Sequence, residues 1–368
     1  MNKDSIIEAL KKVRYPGNGK DLVEAGIANA SDIDVNGNQV KIALTFERPT
    51  DPFYKSMIKA VEAAVLTFVS NDLVVKGNVT AKFLHDNPVK AETPLKEVKN
   101  IIGVSSGKGG VGKSTVATNL AVALAMEGYK VGLLDADIFG PSVPKMLGAE
   151  KDELYMHRVG DRDLIIPDVK YGIKMLSIGF LVDPSNPVIW RGAMASNALK
   201  QLITDADWGE LDYFVIDMPP GTSDIHLTIV QTLPVTGAVI VTTPQDVALA
   251  DARKGIAMFR EEKINVPVLG VVENMAWFTP SKHPDEKYYI FGKEGASKLA
   301  REFGVPVLAQ IPITESICDG GDHGKPVALD ENSITGQSFL HLAHEVIDAV
   351  EKRNSELPPS QPVGINRK

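Results

Sequence analysis

The fold is decided by one stretch, Ile101-Ile-Gly-Val-Ser-Ser-Gly-Lys-Gly-Gly-Val-Gly-Lys-Ser-Thr115. A short apolar strand runs into a loop that contains four glycines, and a helix begins at Lys113. Glycines let the backbone curl so that its N–H groups point at phosphate oxygens, and the N-terminus of the helix adds a positive dipole end. The stretch therefore predicts a phosphate-binding loop between a strand and a helix.

The glycine spacing fits two kinds of nucleotide site. Residues 107–112 fit the dinucleotide pattern G-x-G-x-x-G, and Asp135 would then be the acid that binds ribose. Residues 107–114 equally fit G-x-x-x-x-G-K-S, the phosphate loop of nucleoside triphosphatases. The second reading explains more residues, because a magnesium triphosphate needs a cation and a metal-binding hydroxyl, which Lys113 and Ser114 supply. The predicted nucleotide-binding residues of the loop are Gly107, Lys108, Gly109, Gly110, Val111, Gly112, Lys113, Ser114 and Thr115.

Acidic residues end two other predicted strands. Asp217 follows the apolar run Tyr-Phe-Val-Ile and is expected to bind Mg²⁺ through water. Asp135 and Asp137 end an earlier strand, and Asp137 is a candidate to orient the attacking water. Lys108, a second lysine in the loop, would add positive charge at the transferring phosphoryl group. The predicted catalytic residues are therefore Lys108, Lys113 and Asp137.

The chain divides into four predicted segments. Residues 1–84 show helical spacing followed by alternating strands, which indicates a small α+β domain, and residues 85–98 contain two prolines and indicate a linker. Residues 99–353 alternate short apolar strands with helices, which indicates an α/β domain with a parallel sheet covered on both faces. Residues 354–368 are predicted to be a disordered tail. The strand candidates of the large domain are 100–104, 130–135, 173–178, 213–218, 238–243, 268–273 and 307–311.

Composition limits the classes of function. The chain has 368 residues, enough for two domains, and its 39 basic and 47 acidic residues give a net charge of −8. That charge argues against a surface built mainly to bind nucleic acid or anionic lipid. A single cysteine cannot form an internal disulfide, the N-terminus does not resemble a signal peptide, and no apolar run approaches a membrane span. We expect a cytoplasmic protein without a nucleic-acid or membrane partner.

The motifs resemble a known family. The loop at residues 107–115 resembles the deviant phosphate loop of the MinD/ParA superfamily. Over about residues 97–350, further motifs narrow the resemblance to the Mrp/ApbC-type iron–sulfur cluster carrier ATPases, and the N-terminal unit resembles the metal–sulfur cluster assembly domain of many bacterial members. Those motifs lie at residues 135–142, 217–224, 243–246 and 272–275.

The resemblance implies roles for individual residues. Lys108 would reach across a nucleotide-sandwich homodimer, Asp137 would be the switch I aspartate, and Asp217 would be the magnesium-side aspartate. Asn274 would contact adenine. The implied cofactors are ATP and Mg²⁺, and the implied activity is slow ATP hydrolysis coupled to conformational change or dimerisation.

The resemblance also implies a biological role, the binding of iron–sulfur clusters and their transfer to recipient apoproteins, with apo iron–sulfur proteins or assembly factors as partners. The main alternative is a regulatory or positioning ATPase of the MinD/ParA kind that carries no cluster. A scaffold that binds ATP without hydrolysing it and the dehydrogenase reading of the loop also remain open.

The chain departs from the family at its cysteines. Carriers of this type usually have a Cys-x-x-Cys pair shortly after the Glu-Asn-Met stretch, but residues 277–285 contain no cysteine. The cysteine of the small domain is also replaced, by Thr50-Asp51-Pro52. Two copies of Cys318 and His283 would give a mixed ligand set of the kind found in Rieske centres. Relocated ligands and loss of cluster binding are both compatible with the sequence.

Overall fold

The structure is a computed structural model that describes residues 3–16, 19–47, 51, 53–84, 95–138, 140–159, 162–181, 192–280, 282–283 and 285–364. The chain divides into two compact units, Met1–Glu92 and Thr93–Lys368. Most of the segment that the sequence predicts to be a linker lies outside the described residues.

The smaller unit is a three-stranded sheet with two helices. Its central strand is antiparallel to the first and parallel to the third. The central strand alternates as predicted, because Val40, Ile42, Leu44 and Phe46 are buried while the residues between them are more exposed. The elements are α1 (Lys3–Leu10), β1 (Ile33–Asn36), β2 (Gln39–Phe46), α2 (Tyr54–Phe68) and β3 (Val79–Phe83).

Both helices of the smaller unit differ from the periodicity of the sequence, which predicts one helix over residues 5–15 and another from about residue 51. Helix α1 ends at Leu10 because the chain then turns, and the N–H of Tyr15 donates to the carbonyl of Lys20. Helix α2 begins at Tyr54, since the carboxylate of Asp51 accepts the N–H of Phe53 at 2.7 Å before the helix starts. Local side-chain hydrogen bonds of this kind compete with the first helical turn.

The larger unit contains an eight-stranded sheet in the order β13-β12-β11-β4-β10-β5-β9-β8. Seven strands are parallel, and the edge strand β8 is antiparallel to β9. All seven strand candidates of this domain are present. The strands are β4 (Val98–Ser106), β5 (Val131–Asp135), β6 (Tyr155–Val159), β7 (Arg162–Ile166), β8 (Asp168–Lys170), β9 (Ile173–Ser177), β10 (Leu211–Asp217), β11 (Gly237–Thr242), β12 (Val268–Glu273) and β13 (Val307–Gln310).

Helices cover both faces of the large sheet, as predicted. Ile101 and Ile102 are adjacent in β4 but belong to different buried clusters, so successive side chains of the strand point to opposite covered faces. Helices α3 and α10 contribute to one cluster, and α5, α6, α7 and α8 contribute to the other. The helices are α3 (Lys113–Met126), α4 (Val143–Met146), α5 (Gly192–Thr204), α6 (Asp224–Thr232), α7 (Asp246–Arg260), α8 (Gly295–Phe303), α9 (Glu315–Asp322) and α10 (Ile334–Glu356).

The C-terminal segment differs from the expectation of a disordered tail. Helix α10 continues to Glu356, and the N–H of Val363 donates to the carbonyl of Val230 at 2.8 Å. The side chain of Val363 packs against the cluster that contains α6. The segment therefore lies on the large unit as far as Gly364, the last described residue. Every helix of the described ranges is too short or too polar to cross a lipid bilayer.

Candidate functional site

The phosphate loop has the geometry that its glycines predict. Gly110 and Gly112 both have φ of 81°, a left-handed conformation that favours glycine. A Cβ at Gly112 would lie 2.1 Å from Nδ2 of Asn274, and a Cβ at Gly107 would lie 2.1 Å from the backbone carbon of Asp251. Larger residues therefore do not fit at either position. The loop leads directly into the N-terminus of α3.

The structure brings Lys113, Ser114, Asp137 and Asp217 together beneath the loop. Nζ of Lys113 hydrogen-bonds to Oδ1 of Asp217, lies 3.4 Å from Oδ2 of Asp137 and donates to Oγ of Ser114 at 3.1 Å. Lys113 is only 6% exposed and Asp217 is fully buried. One buried ammonium therefore neutralises two carboxylates.

One oxygen of Asp217 fits a metal site. Oδ2 is buried and has no hydrogen-bond partner in the described part of the chain. Burial raises the pKa of Asp217, although the neighbouring Lys113 ammonium opposes this shift. Buried carboxylate oxygens are normally hydrogen-bonded or bound to a cation. Oδ2 of Asp217 and the hydroxyl of Ser114 are the kind of hard oxygen donors that Mg²⁺ prefers.

Asp135 does not have the role that the dinucleotide reading gives it. Its carboxylate is fully buried and accepts hydrogen bonds from Oγ of Ser177 at 2.9 Å and from the N–H groups of Asp137 at 3.1 Å and Val143 at 3.3 Å. Burial and the nearby Asp217 carboxylate raise the pKa of Asp135 to about 8. The ribose-binding assignment is therefore wrong, because this side chain is used inside the protein to hold the loop that carries Asp137.

A small pocket opens above these groups. Its volume is about 210 Å³, and its walls include Lys108, Ser114, Asp137 and Pro220 as well as the loop glycines. Pockets for whole small molecules usually measure roughly 300–1,000 Å³. The pocket is smaller than a site for a whole small molecule, and Lys108 lines it.

Asn274 contacts the phosphate loop from the end of β12. Its Nδ2 donates to the carbonyl of Val111 at 2.8 Å, and its backbone N–H donates to the carbonyl of Thr242 at 2.8 Å. The preceding Glu273 is buried, and its Oε1 accepts the N–H of Ala296 at the start of α8 at 2.8 Å. Sequence reasoning missed this anchoring of the loop. The contact of Asn274 with adenine stays a prediction.

His226 is a further residue that sequence reasoning missed. Its Nδ1 accepts the N–H of Ser223 at 3.2 Å, so the neutral ring carries its proton on Nε2, which donates to Oγ of Ser105 at 3.3 Å. Ser105 lies just before the phosphate loop, and Ser223 lies between Asp217 and α6. The ring thus connects the end of β4 to the residue that precedes α6. The sequence did contain a signal for this contact. A serine at the start of a helix, followed three residues later by a polar side chain, has the spacing of a capping box.

We expect His226 to make stability depend on pH. Burial lowers its pKa from 6.5 to about 4, so between these values the unfolded chain binds a proton that the folded chain does not. The folded state is therefore destabilised as pH falls from 7 to 5, by about 2 kcal/mol. Replacing His226 by glutamine should remove this part of the pH dependence in urea unfolding at the two pH values.

The matched control is His344→Gln. His344 is exposed on α10, where its Nε2 lies 3.0 Å from Glu127, so the control removes a histidine without changing a buried one. The loss of stability that His226 causes between pH 7 and pH 5 should persist in this variant. The assignment fails if the two variants show the same pH dependence.

The candidate cluster ligands lie on the surface. Cys318 is exposed on α9, with Sγ 3.9 Å from Oδ2 of Asp322, and the side chain of His283 is 66% exposed beside Glu286. Within the described ranges, one copy of the chain contains no group of three or more His, Cys, Asp or Glu side chains arranged to hold a metal ion.

Comparison with known proteins agrees with this geometry. A family model described as NUBPL iron-transfer P-loop NTPase matches residues 97–347. The chain belongs to this family. A second model, described as iron-sulfur cluster assembly protein, matches residues 3–73 of this NTPase. These matches confirm the resemblance proposed from the motifs. They also confirm the predicted fold class, a parallel-sheet P-loop NTPase domain preceded by a small α+β domain.

Relatives of this NTPase cover most of its length. An iron-sulfur cluster carrier protein of Synechocystis is 41% identical over 95% of this chain and 98% of its own. The mouse iron-sulfur cluster transfer protein NUBPL is 47% identical over 70% of this chain and 79% of its own. The solved structure of a nucleotide-binding protein from Archaeoglobus fulgidus in complex with ADP is 38% identical, with a TM-score of 0.57, and covers 68% of this chain and 95% of its own.

Proposed function

We propose that this protein binds and hydrolyses ATP with Mg²⁺ and uses the cycle to bind iron–sulfur clusters and transfer them to recipient apoproteins. The observation that carries the nucleotide part is the buried group of Lys113, Asp137 and Asp217 directly beneath a glycine-rich loop. A lysine, a metal-binding hydroxyl and a strand-end carboxylate at this place are the parts of a P-loop triphosphatase site.

The residues of the site would have separate roles in phosphate binding, metal binding and orientation of the attacking water. The N–H groups of the loop and the N-terminus of α3 would bind phosphate oxygens. Lys113 would exchange its two carboxylates for the β- and γ-phosphates. Ser114 and Asp217 would hold Mg²⁺, which when bound neutralises charge on the phosphate oxygens. Asp137 would accept a hydrogen bond from the attacking water, with its backbone N–H held by Asp135.

Two roles extend beyond the phosphate loop. Lys108 lines the pocket and would reach the phosphates of a second copy in a homodimer. Asn274 is fixed against the loop through its Nδ2, which supports a role for its side chain beside the base. Both proposals rest on the family resemblance together with these positions.

Cluster transfer is supported by the family and by both domains. Relatives named as iron–sulfur cluster carriers align over nearly the whole chain, so the small unit belongs to the comparison as well. We place the protein in the cytoplasm, with apo iron–sulfur proteins or assembly factors as partners. A MinD/ParA-like regulatory ATPase that carries no cluster is the less supported reading.

Cluster ligands must come from residues other than the family's cysteine pair, because the whole sequence contains one cysteine. Cys318 and His283 are both accessible to a second copy of the chain. We propose that two copies supply two thiolates and two imidazoles to one cluster, a ligand set with precedent in Rieske centres.

The function is tested by anaerobic reconstitution with iron and sulfide, followed by measurement of iron and labile sulfide per dimer. We expect one cluster per dimer in the wild type and its loss in Cys318→Ala, since the thiolates would be removed. His323→Ala is the matched control, because His323 directly follows α9, the helix of Cys318, and is not one of the proposed ligands. Its Nδ1 lies 2.8 Å from the carbonyl oxygen of Asp319.

Two results would oppose this assignment. An equal cluster content in Cys318→Ala would exclude the relocated thiolate. A wild-type protein that hydrolyses ATP but never acquires iron would favour the regulatory reading.

A further inference from the structure

A second cavity lies at the end of the large sheet opposite the phosphate loop. Its volume is about 340 Å³, within the usual range for small-molecule sites. Its walls come from the start of β4 at Val98, from Thr236 before β11, and from Leu357 and Ser360 of the C-terminal segment. Strand β4 separates it from the phosphate loop by about 25 Å. A ligand there would not touch the nucleotide.

The charges around this cavity have one sign. Its walls include Lys99 and Arg353 but no aspartate or glutamate. Lys99 is exposed and is neutralised by Asp212, with Nζ 2.8 Å from Oδ1. Arg353 forms no ion pair among the described residues, and partial burial lowers the pKa of its guanidinium with no carboxylate to offset the shift. Arg353 is therefore a positive charge at the cavity wall for which the described residues provide no ion-pair partner within 4.0 Å.

Two buried donors in the cavity wall also have no partner. Nε of Arg353 and Oγ of Ser360 are each buried without a hydrogen bond in the described part of the chain. The guanidinium is held in place, because its Nη1 donates to Oδ1 of Asn354 at 3.1 Å and Nδ2 of Asn354 donates to Oδ1 of Asn100 at 2.9 Å. Buried polar atoms normally find a partner, so this pair points to a missing acceptor.

The rest of the wall contains five apolar residues together with Thr236 and Asn354. Val98, Ile101, Pro234, Leu357 and Pro359 contribute carbon surface beside the two donors. A guanidinium binds phosphate and carboxylate groups with paired hydrogen bonds. We propose that this cavity binds a small organic oxyanion, with its phosphate or carboxylate head on Arg353 and Ser360 and its apolar body against the start of β4.

The test measures ligand binding by calorimetry with the phosphate loop saturated by ADP and Mg²⁺, so that added anions cannot bind there. Phenyl phosphate and benzoate are the anionic probes, and benzyl alcohol is the neutral control. We expect at least one anion to bind the wild type and the alcohol not to bind. Arg353→Met should weaken anion binding by about tenfold or more, because it removes the charged donor and keeps a long apolar side chain.

Lys352→Met is the matched control, since Lys352 is the exposed neighbour on the same helix and does not line this cavity. It should bind the anion as the wild type does. Ser360→Ala is a milder second variant and should also weaken binding. Unchanged ADP affinity shows that each variant is folded.

The proposal is overturned if neither anion binds the wild type, if benzyl alcohol binds as tightly as the anions, or if Arg353→Met and Lys352→Met behave alike. None of these results depends on ATP hydrolysis or cluster binding.

Discussion

Replacing Lys113 by methionine is expected to reduce ATP hydrolysis by about 10²-fold or more and to weaken nucleotide binding. Its ammonium is the cation within reach of both Asp137 and Asp217, and removing one such donor to a transferring group usually costs that much. Phosphate release at saturating ATP and Mg²⁺ measures the effect. Hydrolysis at the wild-type rate would show that the site is elsewhere.

The same substitution should destabilise the nucleotide-free protein. Lys113 is buried between two carboxylates, and breaking a buried ion pair on one side typically costs about 3–5 kcal/mol. The double variant Lys113→Met, Asp217→Asn should recover much of this stability, because it also removes the fully buried charge. It should not recover hydrolysis. The comparison separates loss of folding from loss of catalysis.

Replacing Asp137 by alanine is expected to leave nucleotide binding within a few-fold of the wild type and to reduce turnover by about 10²–10⁴-fold. The carboxylate lines the pocket and lies 3.4 Å from Nζ of Lys113, whereas the loop, Ser114 and Asp217 remain intact. The measurement is ATP affinity together with phosphate release. Asp163→Ala, on the exposed hairpin of β6 and β7, is the control for loss of one acid.

Normal turnover in Asp137→Ala would mean that another group orients the water. Asp135 is a poor substitute, because its two oxygens are occupied by Ser177 and by backbone N–H groups. Loss of binding together with turnover would instead indicate that Asp137 is needed for the nucleotide itself.

The phosphate loop and the two acids that the structure places beside it could be predicted from sequence, because each belongs to a short pattern that ends an apolar strand. The pairing of Lys113 with Asp217 could not be predicted. The motif indicates that the lysine binds phosphate, but it does not indicate which carboxylate lies beside the ammonium. His226 was missed for a similar reason. Its partners Ser105, in β4, and Ser223, just before α6, are far apart in sequence and meet only in the fold.

The seven parallel strands were predictable because both faces of each strand are covered, which leaves continuous apolar runs. The strands β6, β7 and β8 were not predicted. Tyr155, Met156 and Val169 are exposed there, so burial imposes no alternation on the sequence. The ordered C-terminal segment was missed because its prolines indicate disorder, while the contact of Val363 with Val230 depends on the fold.

The central claim is that Lys113, Asp137 and Asp217 form the ATP site and divide binding from hydrolysis. The most direct test measures ATP affinity and phosphate release on the same preparations of the wild type, Lys113→Met and Asp137→Ala, with Mg²⁺ present. We predict that the lysine variant loses both, whereas the aspartate variant binds ATP and does not hydrolyse it. A lysine variant that binds and hydrolyses ATP like the wild type would contradict the claim.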